Sequence, residues 1–158
     1  IVIDGWSKTY AMTGWRLGYG VWPTALFDYA ERLAVNSYSC PNAASQHAGI
    51  AALTGPQDQV GEMLEAFDTR RKAVVEGLNQ IPNITCVMPK GAFYAFPNIS
   101  ATRLNARELQ QGLLEEAGVA LVAGTSFGAL GEGYLRVSYA NSLENVEESI
   151  RRIAKYLS

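Results

Sequence analysis

The sequence predicts an α/β fold. Short apolar segments that are typical of strands alternate with longer segments in which apolar residues recur at helical spacing. The clearest helical periodicity covers residues 57–79 and the last stretch of the chain, whereas glycine, proline or asparagine bounds the strand-like segments. A chain of 158 residues can bury one good core, or divide between a small domain and a piece of another.

The first third of the chain is predicted to contain two strands and two helices. Pro23 marks a helix start, because the amide hydrogen that proline lacks has no partner in the first turn of a helix. Thr54-Gly55-Pro56 ends the second helix, which is rich in alanine. The predicted bounds are residues 1–3 and 15–22 for the strands, 24–35 and 43–53 for the helices, and 36–42 for a polar loop.

The rest of the chain is predicted to contain one long helix, four strands and two further helices. Asn105 with Glu108, and Asn141 with Glu144, have the spacing of a capping box, in which two side chains satisfy backbone amides at a helix start. The predicted bounds are residues 57–79, 105–118 and 141–157 for the helices, and 84–87, 93–96, 119–122 and 134–139 for the strands.

These elements predict an incomplete domain followed by a smaller complete one. Residues 1–54 would be the end of a large α/β domain, residues 55–80 a bridging helix, and residues 81–158 a small α+β domain. The sequence starts at Ile1, inside an apolar strand-like run and without a signal-peptide pattern. We therefore expect the chain to be part of a longer protein.

Composition argues against several classes of function. A count of 13 Lys and Arg against 15 Asp and Glu gives a formal net charge of −2, which disfavours a surface for nucleic acid. No apolar stretch approaches the roughly 20 residues of a membrane span. Cys40 and Cys86 form no Cys-x-x-Cys pair and join no histidine cluster, so we expect neither a disulfide framework nor a metal site. A reduced, cytoplasmic location is the natural expectation.

The densest group of chemistry-bearing residues is the run Ser-Lys-Thr-Tyr-Ala-Met-Thr-Gly-Trp-Arg-Leu-Gly-Tyr at residues 7–19. It puts the amine of Lys8 and the guanidinium of Arg16 on one short connection between strands. Arginine binds phosphate through paired hydrogen bonds, and a lysine that loses its proton is a nucleophile toward carbonyl carbon. The pair therefore suits an anionic ligand. The alternative is that both residues are solvated surface charges.

This run resembles the pyridoxal-phosphate attachment signature of the class I and II aminotransferases, which have the aspartate aminotransferase fold type I. Three later segments support the resemblance in the expected order: residues 89–97, 124–128 and 134–140. The resemblance implies the C-terminal portion of that fold, namely the tail of the large α/β domain plus the small α+β domain. It also implies the cofactor pyridoxal 5′-phosphate, transamination between an α-amino acid and a 2-oxo acid such as 2-oxoglutarate, and a homodimer.

The resemblance also implies roles for single residues. Lys8 matches the lysine that forms a Schiff base with the cofactor and then moves a proton during the reaction. Arg16 matches the arginine that pairs with the cofactor phosphate, and Arg136 the arginine that binds the substrate α-carboxylate. Many relatives have a serine phosphate ligand three residues before the lysine, where this chain has Gly5. Ser7 is the candidate in its place, unless its hydroxyl satisfies nearby backbone.

Other notable residues have mainly structural interpretations. The usual Pro-Gly of the later motif is Ala123-Gly124 here, which is expected to loosen a turn without affecting chemistry. His47, the only histidine, lies on a predicted helix without catalytic or metal-binding partners, so a structural role is favoured. Arg70 and Arg71 interrupt the apolar face of the long helix and are predicted to be solvated or salt-bridged. The resemblance implies that the loop with Tyr38, Ser39 and Asn42 approaches a subunit interface, and a plain polar loop is the alternative. Packing in the core and sheet is predicted for Phe93, Tyr94 and Phe96, with a place for Tyr94 or Phe93 at a substrate entrance as the alternative.

In this family, the aspartate that binds the pyridine nitrogen and the aromatic residue that stacks on the ring precede the lysine by a long stretch of chain. We therefore expect the parent protein to be an aminotransferase and these 158 residues to be inactive, or nearly so, alone. Two alternatives from other classes are a regulator that senses pyridoxal phosphate beneath a DNA-binding domain, and a non-catalytic assembly module. The amino-acid donor is left open among aspartate, aromatic, and branched or alanine-type substrates.

Overall fold

Along the chain, two strands are followed by three helices, a strand, a helix, two strands and a last helix. This is the order that the sequence predicts, except that one of the predicted strands is absent. The computed structural model describes residues 1–158 and shows two compact units, residues 1–62 and 63–158. The boundary between them falls inside the longest helix. The assignment of residues 1–54, 55–80 and 81–158 to domains of a complete protein stays a prediction.

The first unit is built on a two-stranded antiparallel ribbon. Strand β1 (Val2–Gly5) pairs with β2 (Gly18–Val21), from Val2 opposite Val21 to Gly5 opposite Gly18. Two helices follow, α1 (Phe27–Tyr38) and α2 (Ala43–Thr54). The second strand is shorter than the predicted residues 15–22. It begins at Gly18, because Trp15 still belongs to a short 3-10 turn that precedes the strand.

Helix α1 continues into the segment predicted to be a polar loop, so that loop is reduced to residues 39–42. The side chains of Asn36 and Ser37 donate hydrogen bonds to the carbonyl oxygens of Arg32 and Leu33, at 2.7 and 2.6 Å. These polar side chains are satisfied within the helix, so they do not end it. The backbone leaves the helix at Ser39, where φ is 63°.

The second unit contains a three-stranded antiparallel sheet, two complete helices and most of a third helix. Its elements are α4 (Ala106–Glu115), α5 (Leu143–Tyr156), β3 (Tyr94–Ala95), β4 (Val122–Ala123) and β5 (Leu135–Ser138), while α3 (Asp58–Asn79) crosses the boundary. The central strand is β5, with β3 on one side and β4 on the other. None of the helices of the chain combines the length and the apolar character needed to cross a membrane.

The predicted strand at residues 84–87 is wrong. Thr85 makes only an isolated pair of hydrogen bonds with Asn98, at 3.1 and 2.7 Å. The next residue, Cys86, is held by the side chain of Asn79, which accepts from its amide at 2.7 Å and donates to its carbonyl at 2.9 Å. A side chain thus replaces a neighbouring strand as the hydrogen-bonding partner of this segment.

The helix caps are partly as predicted. The capping box of Asn105 and Glu108 is present at the start of α4. The cap of α5 is Ser142, whose hydroxyl accepts from the amide of Asn145 at 3.2 Å, and not the predicted Asn141. Asn141 instead accepts a hydrogen bond from the Ser142 amide at 2.8 Å.

The core of the second unit lies between one face of the sheet and the helices. Leu135 and Val137 of β5 are buried, while Arg136 and Ser138 between and after them face the other way, as strand alternation requires. The largest fully buried side chains of this core are Tyr139, Leu78, Ile99, Leu109, Leu113 and Val74. Arg136 is therefore placed on the face of the sheet that the core does not occupy.

Replacing Asn105 by alanine is expected to lower the free energy of unfolding by about 1 kcal/mol. The side chain of Asn105 accepts hydrogen bonds from the amides of Arg107 and Glu108, and alanine offers no acceptor. Urea denaturation measures the change. Asn105→Ser keeps a capping oxygen and is the matched control. An equal loss of stability in both variants would contradict the role of the cap.

Candidate functional site

Lys8 and Arg16 lie at the same end of the β1–β2 ribbon. The last strand pair is Gly5 with Gly18, and the Trp6 amide then donates to the Leu17 carbonyl at 3.4 Å. Lys8 follows two residues after this contact on one side, and Arg16 immediately precedes it on the other. Both side chains are exposed. The ribbon therefore brings the two predicted cations to one end of one element.

Arg16 has an unusual backbone conformation. Its φ of 53° and ψ of 49° are in the left-handed region, which costs a non-glycine residue energy and is most often retained at functional sites. One guanidinium nitrogen donates to the carbonyl of Thr13 at 3.0 Å, which fixes the side chain across its own turn. Arg16 is also one of the residues that line an open groove.

This groove has a volume of about 660 Å³ and lies entirely within the first unit. Polar and aromatic side chains from three segments reach it: Asp4, Arg16, Tyr19, Trp22, Tyr38 and Asn42. Tyr38 and Asn42 thus share a groove with Arg16. Lys8 is not among the residues that line it.

The turn that holds Lys8 and Arg16 is anchored on α2. The hydroxyl of Ser45, a buried polar residue, donates to the carbonyl of Trp15 at 3.0 Å, and the Trp6 indole donates to the carbonyl of Gly49 at 3.1 Å. A Cβ at Gly49 would lie 2.5 Å from a methyl group of Leu17. The helix can therefore approach the turn this closely only with glycine at that position.

Gly5, at the position where the resemblance leads one to expect serine, lies close to the paired strand. A Cβ at Gly5 would lie 3.0 Å from the backbone oxygen of Leu17 on the paired strand. The amide of Gly5 donates to the carboxylate of Asp4 at 2.7 Å. The half-buried Ser7 carries a hydroxyl one residue before Lys8.

Arg136 lies in the second unit, at the centre of the sheet. Its guanidinium carbon is 4.5 Å from the centroid of the Tyr94 ring and 4.6 Å from that of the Phe127 ring. Tyr94 pairs with Ser138 across the strands, so it shares a sheet face with Arg136 as a diagonal neighbour. No carboxylate forms an ion pair with Arg136. A half-buried cation without a charge partner suits an anionic ligand.

Phe127 belongs to a loop over residues 124–131 whose two ends touch. A Cβ at Gly124 would lie 2.2 Å from the backbone oxygen of Gly131, and one at Gly131 would lie 2.0 Å from that of Gly124. The hydroxyl of Thr125 in this loop is buried and has no hydrogen-bond partner. Both ends therefore require glycine, and the aromatic side chain projects from a closed loop.

The departure at Ala123 also has a physical explanation. Its φ of −61° is one that proline adopts, but its amide donates to the side-chain oxygen of Gln110 at 2.8 Å. Proline has no amide hydrogen and would leave that acceptor unpaired. The predicted loosening of this turn is not what the contacts indicate, because the hydrogen bond ties β4 to α4.

Glu132 ties the end of the same loop to α4. One carboxylate oxygen accepts from the amides of Ala106 and Gly133, at 2.8 and 3.0 Å. These two hydrogen bonds, with that of Ala106 the larger cause, hold the pKa of Glu132 below its usual value.

A side-chain network holds the turn that precedes β3. Arg71 donates to the carbonyl of Pro89 at 2.9 Å and to Asp68 at 2.6 Å, while the Tyr139 hydroxyl donates to the carbonyl of Ala92 at 3.0 Å. Lys72 donates to Asp68 at 2.7 Å. Hydrogen bonds from Lys72 and then Arg71 lower the pKa of Asp68, whereas burial raises the pKa of Tyr139.

Two other residues that the sequence singles out, His47 and Arg70, take no part in this network. His47 is exposed on α2. Arg70 lies over the Phe67 ring, with 5.4 Å between its guanidinium carbon and the ring centroid. No group of three or more His, Cys, Asp or Glu side chains is arranged to bind a metal ion.

Comparison with known proteins identifies the family. The family model described as aminotransferase class I and II matches residues 1–153 of the chain. The chain belongs to the class I and II aminotransferases. It is 45% identical to an aspartate aminotransferase of Pyrococcus horikoshii, in an alignment covering 99% of this chain and 41% of that protein. It is 40% identical to aromatic-amino-acid aminotransferase 2 of Thermococcus litoralis, covering 99% of this chain and 41% of that protein.

Solved aminotransferase structures have the same fold. The aromatic aminotransferase from Pyrococcus horikoshii superposes with a TM-score of 0.93 at 40% identity, over 97% of this chain and 41% of that chain. The aspartate aminotransferase from Rhizobium meliloti superposes with a TM-score of 0.92 at 38% identity, over 99% of this chain and 41% of that chain. The predicted family and fold class are confirmed, and the chain spans about two fifths of the length of these relatives.

Aminotransferases of this family use pyridoxal phosphate, and the donor set at the end of the ribbon fits that cofactor. Lys8 offers an accessible primary amine for the aldehyde carbon, and Arg16 offers a planar cation for the phosphate. Ser7 adds a hydroxyl between the strand end and Lys8. These three residues would hold the cofactor at its aldehyde carbon and at its phosphate.

The prediction of a salt bridge is confirmed for Arg71, which pairs with Asp68, but the other members of its network were not identified from sequence. The spacing of Asp68, Arg71 and Lys72 is typical of ion pairs on one helix turn and could have indicated a charged network. The bonds from Arg71 to Pro89 and from Gln110 to Ala123 join distant segments, and no local pattern signals them.

The Asp68 network is expected to make stability depend on acidic pH. The pKa of Asp68 in the folded protein is below its usual value of 3.8, so at that pH the unfolded chain takes up protons that the folded chain does not. Its contribution to stability is present above pH 3.8 and is lost as pH falls through the folded pKa. Asp68→Asn should therefore show a smaller acid-side loss in urea denaturation at a series of pH values.

Glu76→Gln, on an exposed site of the same helix, is the matched control. It is expected to retain the acid-side slope of the unsubstituted protein. A slope that is unchanged in Asp68→Asn would show that the network does not stabilise the fold through the charge of Asp68.

Proposed function

We propose that the complete protein containing this chain catalyses pyridoxal-phosphate-dependent transamination between an α-amino acid and a 2-oxo acid, with 2-oxoglutarate as the acceptor. The supporting observation is the position of Lys8 and Arg16 at one end of the β1–β2 ribbon, where an amine and a phosphate-binding cation are both accessible. Membership of the aminotransferase family supplies the reaction class.

Lys8 is the proposed catalytic residue. Its Nζ would hold the cofactor through the aldehyde carbon and, once released by the substrate, would take the proton from the substrate Cα. Pyridoxal phosphate, when bound, supplies an electron sink for the electrons left on that carbon. Lys8 therefore has two successive tasks, and both need an amine that can lose its proton.

Arg16 is the proposed anchor for the phosphate. The hydrogen bond to Thr13 restrains the side chain before any ligand arrives, which reduces the entropy lost on binding. The remaining N–H groups of the guanidinium match two phosphate oxygens at once, and lysine would not reproduce this geometry. Ser7 is proposed as an additional hydrogen-bond donor to the phosphate.

Arg136 is the proposed binding residue for the substrate α-carboxylate. It is half-buried, lies over two aromatic rings and has no carboxylate partner within the chain. The low polarity of these ring faces strengthens the attraction between the guanidinium and an incoming anion. Every α-amino acid carries this carboxylate, so Arg136 orients the substrate without selecting its side chain.

The rest of the active site is proposed to come from outside these residues. A carboxylate that keeps the cofactor's ring nitrogen protonated and an aromatic residue that covers its ring would be supplied by other parts of the complete protein, which we propose is a cytoplasmic homodimer. The 158 residues alone are therefore expected to lack turnover of an amino acid with 2-oxoglutarate.

Lys8→Ala is expected to abolish covalent attachment of pyridoxal phosphate to the complete protein. Borohydride reduction of the holoenzyme, followed by peptide mass spectrometry, should find the modification on Lys8 and not on the exposed Lys90. Lys90→Ala is the matched control and should retain both attachment and turnover. Attachment at another lysine in the unsubstituted protein would refute the assignment.

Arg136→Gln is expected to raise KM for amino acids by at least about tenfold, since a charge-assisted paired hydrogen bond is lost. Steady-state kinetics with several amino acids measures the change, which should be similar for all of them because they share the carboxylate. Arg107→Gln, at an exposed position on α4, is the control and should leave KM unchanged. A KM increase confined to one amino acid would contradict carboxylate binding.

A further inference from the structure

The Arg136 guanidinium is held by aromatic rings instead of by hydrogen bonds to acidic side chains. Its guanidinium carbon lies 4.5 Å from the Tyr94 centroid and 4.6 Å from the Phe127 centroid, distances at which a cation interacts with the face of a ring. These two residues, Tyr94 and Phe127, are called the aromatic pair below. Neither competes with an anion for the N–H groups of the guanidinium.

Stacking has a geometric consequence for a planar cation. A guanidinium that lies parallel to a ring contacts it with the face of its plane, while its five N–H donors point outward within the plane. Carboxylate binding requires two parallel N–H groups on one edge of that plane. Ring contacts can therefore restrict the orientation of Arg136 and keep its binding edge available at the same time.

We propose that Tyr94 and Phe127 are positioning residues that hold Arg136 in the orientation in which it receives the substrate carboxylate. This inference rests on the proposed function, in which Arg136 binds that carboxylate. The aromatic pair touches neither the cofactor nor the reacting carbon in the proposal. It acts through Arg136 by reducing the number of orientations that the free side chain adopts.

Tyr94 is itself held from two sides. Strand pairing fixes its backbone opposite Ser138, and its ring contacts that of Phe93 with 4.5 Å between centroids. The turn before it is bound by Arg71 at Pro89 and by Tyr139 at Ala92. The position of this ring is therefore determined by the fold and not by the ligand.

Phe127 is held by the closed loop over residues 124–131. The touching ends at Gly124 and Gly131 fix the base of the loop, and the edge of the Phe96 ring meets Phe127 with 6.5 Å between centroids. The Phe127 side chain is nevertheless 55% exposed. A ring this exposed contributes little to the core, which makes a role toward Arg136 the better explanation for its position.

The test uses the complete protein with pyridoxal phosphate bound and compares ring-removing with ring-retaining variants. Phe127→Leu and Tyr94→Leu are expected to raise KM for L-aspartate, L-phenylalanine and L-alanine by about three- to tenfold, with kcat changed less than about twofold. Phe127→Tyr and Tyr94→Phe retain a ring face and should restore KM. Leu130→Ala, 98% exposed in the same loop, is the matched control and should leave KM unchanged.

A double-substitution cycle shows whether the rings act through Arg136. In an Arg136→Lys background, Phe127→Leu should raise KM no further, because lysine has no planar edge to orient. Additive effects of the two substitutions would overturn the proposal, as would a KM that is unchanged in both leucine variants or a failure of the ring-retaining variants to restore it.

The outcome also separates this inference from the proposed function. If Arg136→Lys and Arg136→Gln leave KM unchanged, the carboxylate-binding role of Arg136 fails. If they raise KM and the leucine variants do not, only the positioning role fails. Thermal unfolding of each variant identifies any change in KM that comes from misfolding. Of the two aromatic residues, the exposed Phe127 is the one whose replacement is expected to affect folding less.

Discussion

The pairing of β1 with β2 is the interaction on which the proposed catalytic chemistry depends. It is close at Gly5, where a Cβ would lie 3.0 Å from the Leu17 carbonyl, and it is supported by α2 through Ser45 and Gly49. Because this ribbon ends between Lys8 and Arg16, the two residues lie at the same end of it although seven residues separate them in the sequence. A larger side chain at Gly49 would displace the helix from the turn, whereas one at Gly5 would require a small shift of the Leu17 carbonyl.

Much of the fold was predictable because its signals are local. The periodicity of residues 57–79 and the capping box of Asn105 and Glu108 predict α3 and the start of α4, since both depend on residues within one or two helical turns. The failed strand at residues 84–87 shows the limit. An apolar run predicts extended backbone, but the Asn79 side chain, and not a neighbouring strand, satisfies Cys86.

The site was predictable only where a motif carries it. The run at residues 7–19 and the arginine of β5 drew attention to Lys8, Arg16 and Arg136 because their types and order resemble a known signature. The neighbours that orient them were not predictable. Phe127 reaches Arg136 through a closed loop, and Arg71 reaches Pro89 across 18 residues, so these contacts exist only once the chain has folded. Sequence patterns identify reactive groups more readily than the residues that contact and position them.

The hydrogen bond from the Ala123 amide to Gln110 links the identities of two positions that are 13 residues apart. Proline at 123 is compatible with the local backbone angle. It has no amide hydrogen, however, so the side-chain oxygen of Gln110 would lose this hydrogen bond. Substitution at one position therefore changes which residues are acceptable at the other. Across homologues, proline at 123 should therefore be less frequent where residue 110 is glutamine, which would appear as covariation between a helix and a strand edge.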